Sequence, residues 1–354
     1  RRQRQMCIRD RDKQSHANRS QRSQKLRLIR LNDGSYTTDP VKAYGKIGFG
    51  VSAYDQQDGA YNKNGTYRIE TTFNGSKHFE VLFNRFSFAE TRYLNRFIDY
   101  AYFETNRSRI QKLFRQENNP LSLINHEVDN GYVNVTQGYS GMYTVEVFDF
   151  KGNTVQITVP IEGVDSEIKI AKSIDETDDL ITANQATYIT KGKYSVYFPA
   201  GSLYEDVYLD IRSVGDTLHL HKDVVPIHKN ITLTIDASNY KEADFEKLYL
   251  GRINYKGTPY YSATFKEGSK ISTKTRTFGS YCLAYETNAP SVRALNFKEG
   301  QWISDNKTLR VKITDKESGI KSYRATLNGK FILMEYDYKK DRLTYDFDDG
   351  IVTD

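Results

Sequence analysis

The chain has 354 residues, with 51 Lys and Arg against 45 Asp and Glu for a net charge of +6, and only two cysteines. That length suffices for two or three domains. No run of 18 apolar residues occurs, which excludes a membrane-spanning helix within these limits. The charge is uneven: in the opening stretch "RRQRQMCIRDR" five arginines stand against Asp10 and supply +4, so the remaining 343 residues carry only +2. Clustered arginine attracts phosphate, yet past residue 11 basic and acidic residues alternate as on an ordinary solvated surface. A nucleic-acid partner therefore has support from those eleven residues alone.

Those eleven residues resemble the in-frame translation of a transposase adapter used in sequencing libraries. On that resemblance residues 1–11 are set aside before fold reasoning, which leaves Cys282 as the single cysteine. The stretch "LTYDFDDGIVTD" stops partway through a strand and turn, so the expectation is an internal fragment of a longer protein.

From residue 12 onward the chain reads as strand. It holds 27 Tyr and 18 Phe with only 7 Pro, a composition suited to pleated, half-buried surfaces. In "KIGFGVSAYD" Ile47, Phe49, Val51 and Ala53 share one face, and Gly48, Gly50, Ser52 and Tyr54 the other. "TYRIETTFNGSKHFEVLF" repeats the alternation around Asn74-Gly75, a pair suited to a turn that needs positive φ twice. "MYTVEVFDFKGNTVQITVPI" predicts a second hairpin, with Tyr143, Val145 and Val147 facing Val155, Ile157 and Val159.

Between the hairpins, "FAETRYLNRFIDYAYF" pairs Tyr93 with Phe97 and Leu94 with Ile98 at helical spacing. "SRIQKLFRQEN" places Ile110, Leu113 and Phe114 on one stripe, and Asn119-Pro120 ends it. The prediction is a β-sandwich over 12–163 with a two-helix insertion. Strands recurring at roughly 8–12-residue spacing then predict a second sandwich over 164–287. "TNAP" at 287–290 reads as a linker, and 288–354, with Asn328-Gly329 at a hairpin tip, as a truncated immunoglobulin-like sandwich. The fold class expected is all-β, in tandem sandwich domains.

Chemistry-bearing motifs are few. In "TLHLHKD", His219 and His221 have the spacing by which two imidazoles on one strand face reach a zinc ion, and His219 to Asp223 is an H-x-x-x-D spacing; His228 is the nearest further ligand. Two histidines on a strand whose other face carries Leu218 and Leu220 explain the pattern without a metal. Cys282, between Tyr281 and Leu283, reads as a small buried hydrophobe rather than a nucleophile. The carboxylate clusters "YDQQDGAYNKNG", "TDKESG" and "YDFDDG" match no EF-hand and read as turns. The many tyrosines, with Trp302 the one tryptophan, suit a glycan-binding face but are also expected of half-wet sheets. No catalytic, cofactor-binding or metal-ligating residue is assigned.

The segments "KLRLIRLNDGSYTTDPVKAYGKIGFGVSAYDQQDGAYNKNGTYRIE", "FSFAETRYLNRFIDYAYFETNRSRIQKLFRQENNPLS" and "VFDFKGNTVQITVPIEG" resemble the region that follows the catalytic domain in large envelope zinc metallopeptidases of the lysostaphin/LytM type from Bacteroidota-like bacteria. The similarity runs from about Ser15 to the end and is most specific in the first domain. In that family zinc is held by an H-x-x-x-D segment and a separate later segment of the form G-P-H-L-H-F-E. Here "HLH" lacks the Gly-Pro and has no separate partner segment upstream, so the metal role is not carried onto His219 and His221. The resemblance implies a non-catalytic tail, exported to the periplasm or envelope. Its parent would use zinc-activated water to cut peptidoglycan cross-links. Its partners would be the parent's upstream catalytic domain, and peptidoglycan or an envelope protein. "FPAGSLYEDVYLDI" also resembles the "P-x-G-A-L" opening of β-sandwich domains found in ankyrins and netrin receptors. A structural, adhesive or glycan-binding envelope protein without peptidase activity is the alternative.

Overall fold

A computed structural model describes residues 5–10, 14–56, 61–85, 87–173, 175–241 and 245–349, with backbone only at 5–10 and 349. The architecture is all-β in tandem sandwich-like domains, and three separate hydrophobic cores lie along the chain.

The first core is organised by one 12-residue strand, Val41–Ser52. Its start pairs in parallel with Thr154–Gly163, and its end pairs antiparallel with Gln5–Asp10. The strand can serve both layers because it turns at Gly45, whose φ is +77°, a value that disfavours a side chain. A Cβ there would also run into Ser15. Ile47, Phe49 and Val51 are fully buried, as the alternation predicts. The opposite face is covered as well: a Cβ on Gly48 would lie 2.5 Å from the Phe114 ring. The glycine is what makes room for that ring.

The hairpins follow the sequence closely. Arg68–Phe73 and Ser76–Leu82 are joined through Asn74 and Gly75, at φ +50° and +80°. Tyr143, Val145 and Val147 stand opposite Val159, Ile157 and Val155. Residues 164–172 stay along the first domain, where Ser166 donates to His16 Nε2 and Lys169 to the Arg19 carbonyl.

One expectation needs correction. Residues 108–118 are not a helix: Gln111–Lys112 is a short strand bridging Gly50 and Val51, and the insertion's two described α-helices, Leu94–Phe97 and Tyr100–Asn106, lie upstream. Ile110, Leu113 and Phe114 are buried as the stripe implied, but packed on the sheet from an extended segment. Among the residues set aside at the outset, Gln5–Asp10 forms a strand between Val41–Ser52 and Gln24–Leu26. Such pairing uses backbone groups, which a foreign and a native segment present alike.

The second core lies between two five-stranded sheets. One runs 187–191, 194–198, 231–236, 270–275, 264–267, and the other 211–214, 217–220, 279–285, 248–253, 259–261. Val196, Leu233, Ile235 and Ile271 from the first sheet share a core with Leu218, Leu220, Leu250 and Tyr281 from the second. The third core is smaller, built on Leu309, Ile313, Leu343 and Tyr345, with an Asn328-Gly329 hairpin beside it at φ +49° and +77°. Among the described residues no helix is long and apolar enough to cross a membrane.

Candidate functional site

The helical insertion of the first domain packs on one end of the second, and Tyr204 stands at the centre of the seam, 4% exposed. Its hydroxyl donates to the Arg92 carbonyl at 2.7 Å and lies 3.1 Å from His228 Nδ1. Its carbonyl accepts from the Asn118 amide at 2.7 Å. The rings of Tyr93, Tyr204 and His228 close on one another, with Tyr93 and His228 centred 4.6 Å apart. Beside them the buried Arg96 guanidinium reaches Glu205 at 2.8 Å. A charge that deep requires such a partner.

The same seam absorbs the motif that looked most like a metal site. Asp223 accepts from Arg252 at 2.9 Å and from the Phe278 amide at 3.2 Å, and Tyr100 of the helical insertion donates to it at 3.5 Å. Burial pushes its carboxyl upward, with Arg252 opposing. Leu218 and Leu220 are fully buried, as expected for the strand Thr217–Leu220. His219 lies on the other face, its Nδ1 2.9 Å from Ser280, the residue directly across the ladder. His221 is past the strand's end at φ +51°, so it does not continue that face, and it is half-buried against Phe278 rather than turned to solvent. Its Nδ1 accepts from the Asp210 amide at 3.0 Å, and burial holds its pKa below the usual histidine range. The H-x-H spacing therefore does not place two imidazoles on one strand face. Among the described residues no three His, Cys, Asp or Glu side chains converge as a metal site.

Residues 178–286 match the family model of the Zu5-like domain. The match covers the second sandwich and includes "FPAGSLYEDVYLDI", the stretch resembling the ankyrin and netrin-receptor sandwiches. The first and third domains lie outside it. No curated protein matches the chain. A solved structure of the Down Syndrome Cell Adhesion Molecule, isoform 1.30.30, N-terminal eight Ig domains, aligns with 99% of this chain at 8% identity. The chain spans 60% of that structure's length, and a TM-score of 0.13 is too low to carry any argument.

In the segment that matches, the Pro199–Ser202 turn faces the first domain. Gly201 adopts φ +74°, Ser202 donates back to the Pro199 carbonyl, and the Lys229 ammonium donates to the Ala200 carbonyl at 2.7 Å. Across from it, the loop 115–131 is held by Arg115, whose Nε donates to both carboxylate oxygens of Glu127 at 2.8 Å and whose Nη1 donates to the Asn119 carbonyl. Between turn and loop lies a cleft of about 740 Å³. Sequence reasoning missed it, because its walls come from segments more than 50 residues apart that share no local period.

The remaining candidates stand apart from the seam. Cys282 is a half-buried free thiol, pushed up by burial and then by Asp216, so it stays protonated and a poor nucleophile. In "TDKESG", Asp315 accepts from the Glu317 and Gly319 amides, which makes a turn. "YDQQDGAYNKNG" and "YDFDDG" fall partly outside the described residues. Trp302 is 91% exposed.

Proposed function

We propose that this chain is a non-catalytic β-domain segment of a cell-envelope zinc metallopeptidase acting on peptidoglycan, where it positions or restrains a catalytic domain carried elsewhere in the parent. The observation that carries this reading is the seam. A pair of β-domains fastened through Arg96–Glu205, Tyr204 and Asp223 holds whatever is joined to it at a fixed distance and angle. The resemblance of the first domain to the tails of lysostaphin/LytM-type enzymes supplies the parent class and its location, the periplasm or envelope. His219, His221 and Asp223 have structural partners here, and the reading assigns zinc to the catalytic domain of the parent.

The Zu5-like match favours a second reading, an adhesive or structural envelope protein with no peptidase attached, since fold alone does not specify function. Recovery of the full upstream reading frame separates the two. A domain with H-x-x-x-D and a later G-P-H-L-H segment is expected, and a complete frame without one removes the peptidase. A zinc titration of the purified chain is expected to show no stoichiometric uptake. Tight one-to-one binding lost in His221→Ala would instead assign a metal site to this chain.

A further inference from the structure

We propose that the outer face of the second domain's first sheet, 187–191, 194–198, 231–236, 270–275, 264–267, binds a neutral polysaccharide strand laid across its five strands. Sugar hydroxyls would meet the central Thr and Ser side chains, and sugar rings would stack on Tyr188 and Tyr197 towards one edge and on Phe265 at the other. Naming a wall glycan as the source of that strand rests on the envelope reading above; the chemistry of the face does not.

Three observations lead there. The first is register. Opposite residues of an antiparallel ladder share a face, so Tyr188, Tyr197, Thr232 and Lys274 form one row across the sheet, and Thr190, Ser195, Thr234, Ser272 and Phe265 form the next. The other face is the core, with Val196, Leu233 and Ile271 buried. At about 4.8 Å between strands the second row spans about 19 Å, room for several linked sugars rather than one. The second observation is exposure: Tyr188 is 64% exposed, Tyr197 41% and Phe265 57%. Rings held on a ladder offer faces against which the C–H side of a sugar can lie.

The third is the kind of polarity. The Thr190 and Ser195 hydroxyls lie 3.5 Å apart, and among the described residues those of Tyr188, Tyr197, Thr232, Thr234 and Ser272 meet no protein group. Each can both donate to and accept from a sugar hydroxyl. Charge is absent from both rows apart from Lys274 at one corner, and it resumes in the next row with Asp236, Lys270 and Glu267. The outer face of the first domain's sheet is the opposite case, where Arg68, Glu70, Lys77 and Glu80 are joined in ion pairs. A face so poor in charge is complementary to a neutral chain and gives a polyanion no advantage. A protein partner fits less well: such interfaces set apolar anchors at the centre within a polar rim, and here hydroxyls hold the centre and rings the flanks.

The test is calorimetric titration of the full chain with chitohexaose, cellohexaose and the anionic hexagalacturonate. At least one neutral probe is expected to bind. Tyr197→Ala and Phe265→Ala, both at exposed positions, are each expected to weaken that binding roughly tenfold while the urea midpoint stays unchanged. Tyr255→Ala, 92% exposed in the turn 254–258 away from the face, is expected to change nothing. No neutral binding at millimolar concentration, neutral binding that both face variants leave unaltered, or hexagalacturonate binding that either of them weakens would overturn the proposal. A dimer in sedimentation velocity that Phe265→Ala dissolves would also overturn it, by making the face an interface between copies. Binding of cellohexaose without chitohexaose would keep the face and count against a wall glycan of N-acetylated sugars as its source. Binding of purified sacculi that both face variants leave unaltered would remove the face and keep the envelope reading.

Discussion

The two junctions of this chain are built differently. Between the first and second domains, buried Tyr204, buried Arg96 and the Tyr100–Asp223 hydrogen bond join residues more than 100 positions apart. Between the second and third, the contacts sit at the surface: Glu317 accepts from Thr287 and Asn288, and Ser318 donates to Glu286. Buried contacts left unmade are costly, whereas exposed polar ones exchange readily with water. The first junction is accordingly a rivet and the second a hinge. A chain made this way is expected to keep its first two domains together while the third swings.

The sharpest way to break the contrast is Tyr204→Ala. It removes a buried ring and two hydroxyl contacts, so a loss of about 3–5 kcal/mol is expected. Urea unfolding followed by fluorescence should resolve separate transitions for the first two domains, where the native chain is expected to show a joint one. Arg96→Ala should cost about 1–3 kcal/mol. It frees Glu205, which is half-exposed and can return to water, and the main loss is the guanidinium's contacts.

Acid should loosen the same seam. Burial holds His228 and His221, and His78 of the first domain, below the ordinary histidine range. The folded state then binds these protons less well than the unfolded state. The stability tied to them is complete above the unfolded pKa of about 6.5 and falls as pH drops through it. Urea midpoints at pH 7.5 and pH 5.5 measure this, and His228→Asn should reduce the slope.

At the hinge the effects are smaller. Hydrogen bonds from Thr287 and its neighbours hold the Glu317 carboxyl at about 2, so its contribution is present above the ordinary glutamate pKa and is lost as pH falls towards that value. Glu317→Gln should leave the unfolding midpoints of all three domains unchanged and speed protease cleavage within residues 286–291.

What was legible in the sequence follows the range of the interactions. Asn74-Gly75, Asn328-Gly329 and the pairing of Tyr143 with Val159 were readable because turn chemistry and period-two burial act over a few residues. The stripe Ile110, Leu113, Phe114 misled because a short apolar run fits a helix and a packed extended segment equally. What decides is Gly48, 66 residues earlier, whose bare backbone admits Phe114. Setting residues 1–11 aside hid a strand that its own alternation does not advertise. The seam and cleft were invisible for the same reason of range: nothing near Arg96 names Glu205, and nothing near Asn118 names Tyr204.

Rivet and hinge can be compared directly by double electron–electron resonance in a background without Cys7 and Cys282, with spin labels at exposed positions 151, 274 and 339. A narrow distance distribution between 151 and 274 and a broad one between 274 and 339 is the predicted result. Equally broad distributions for both pairs would contradict the account.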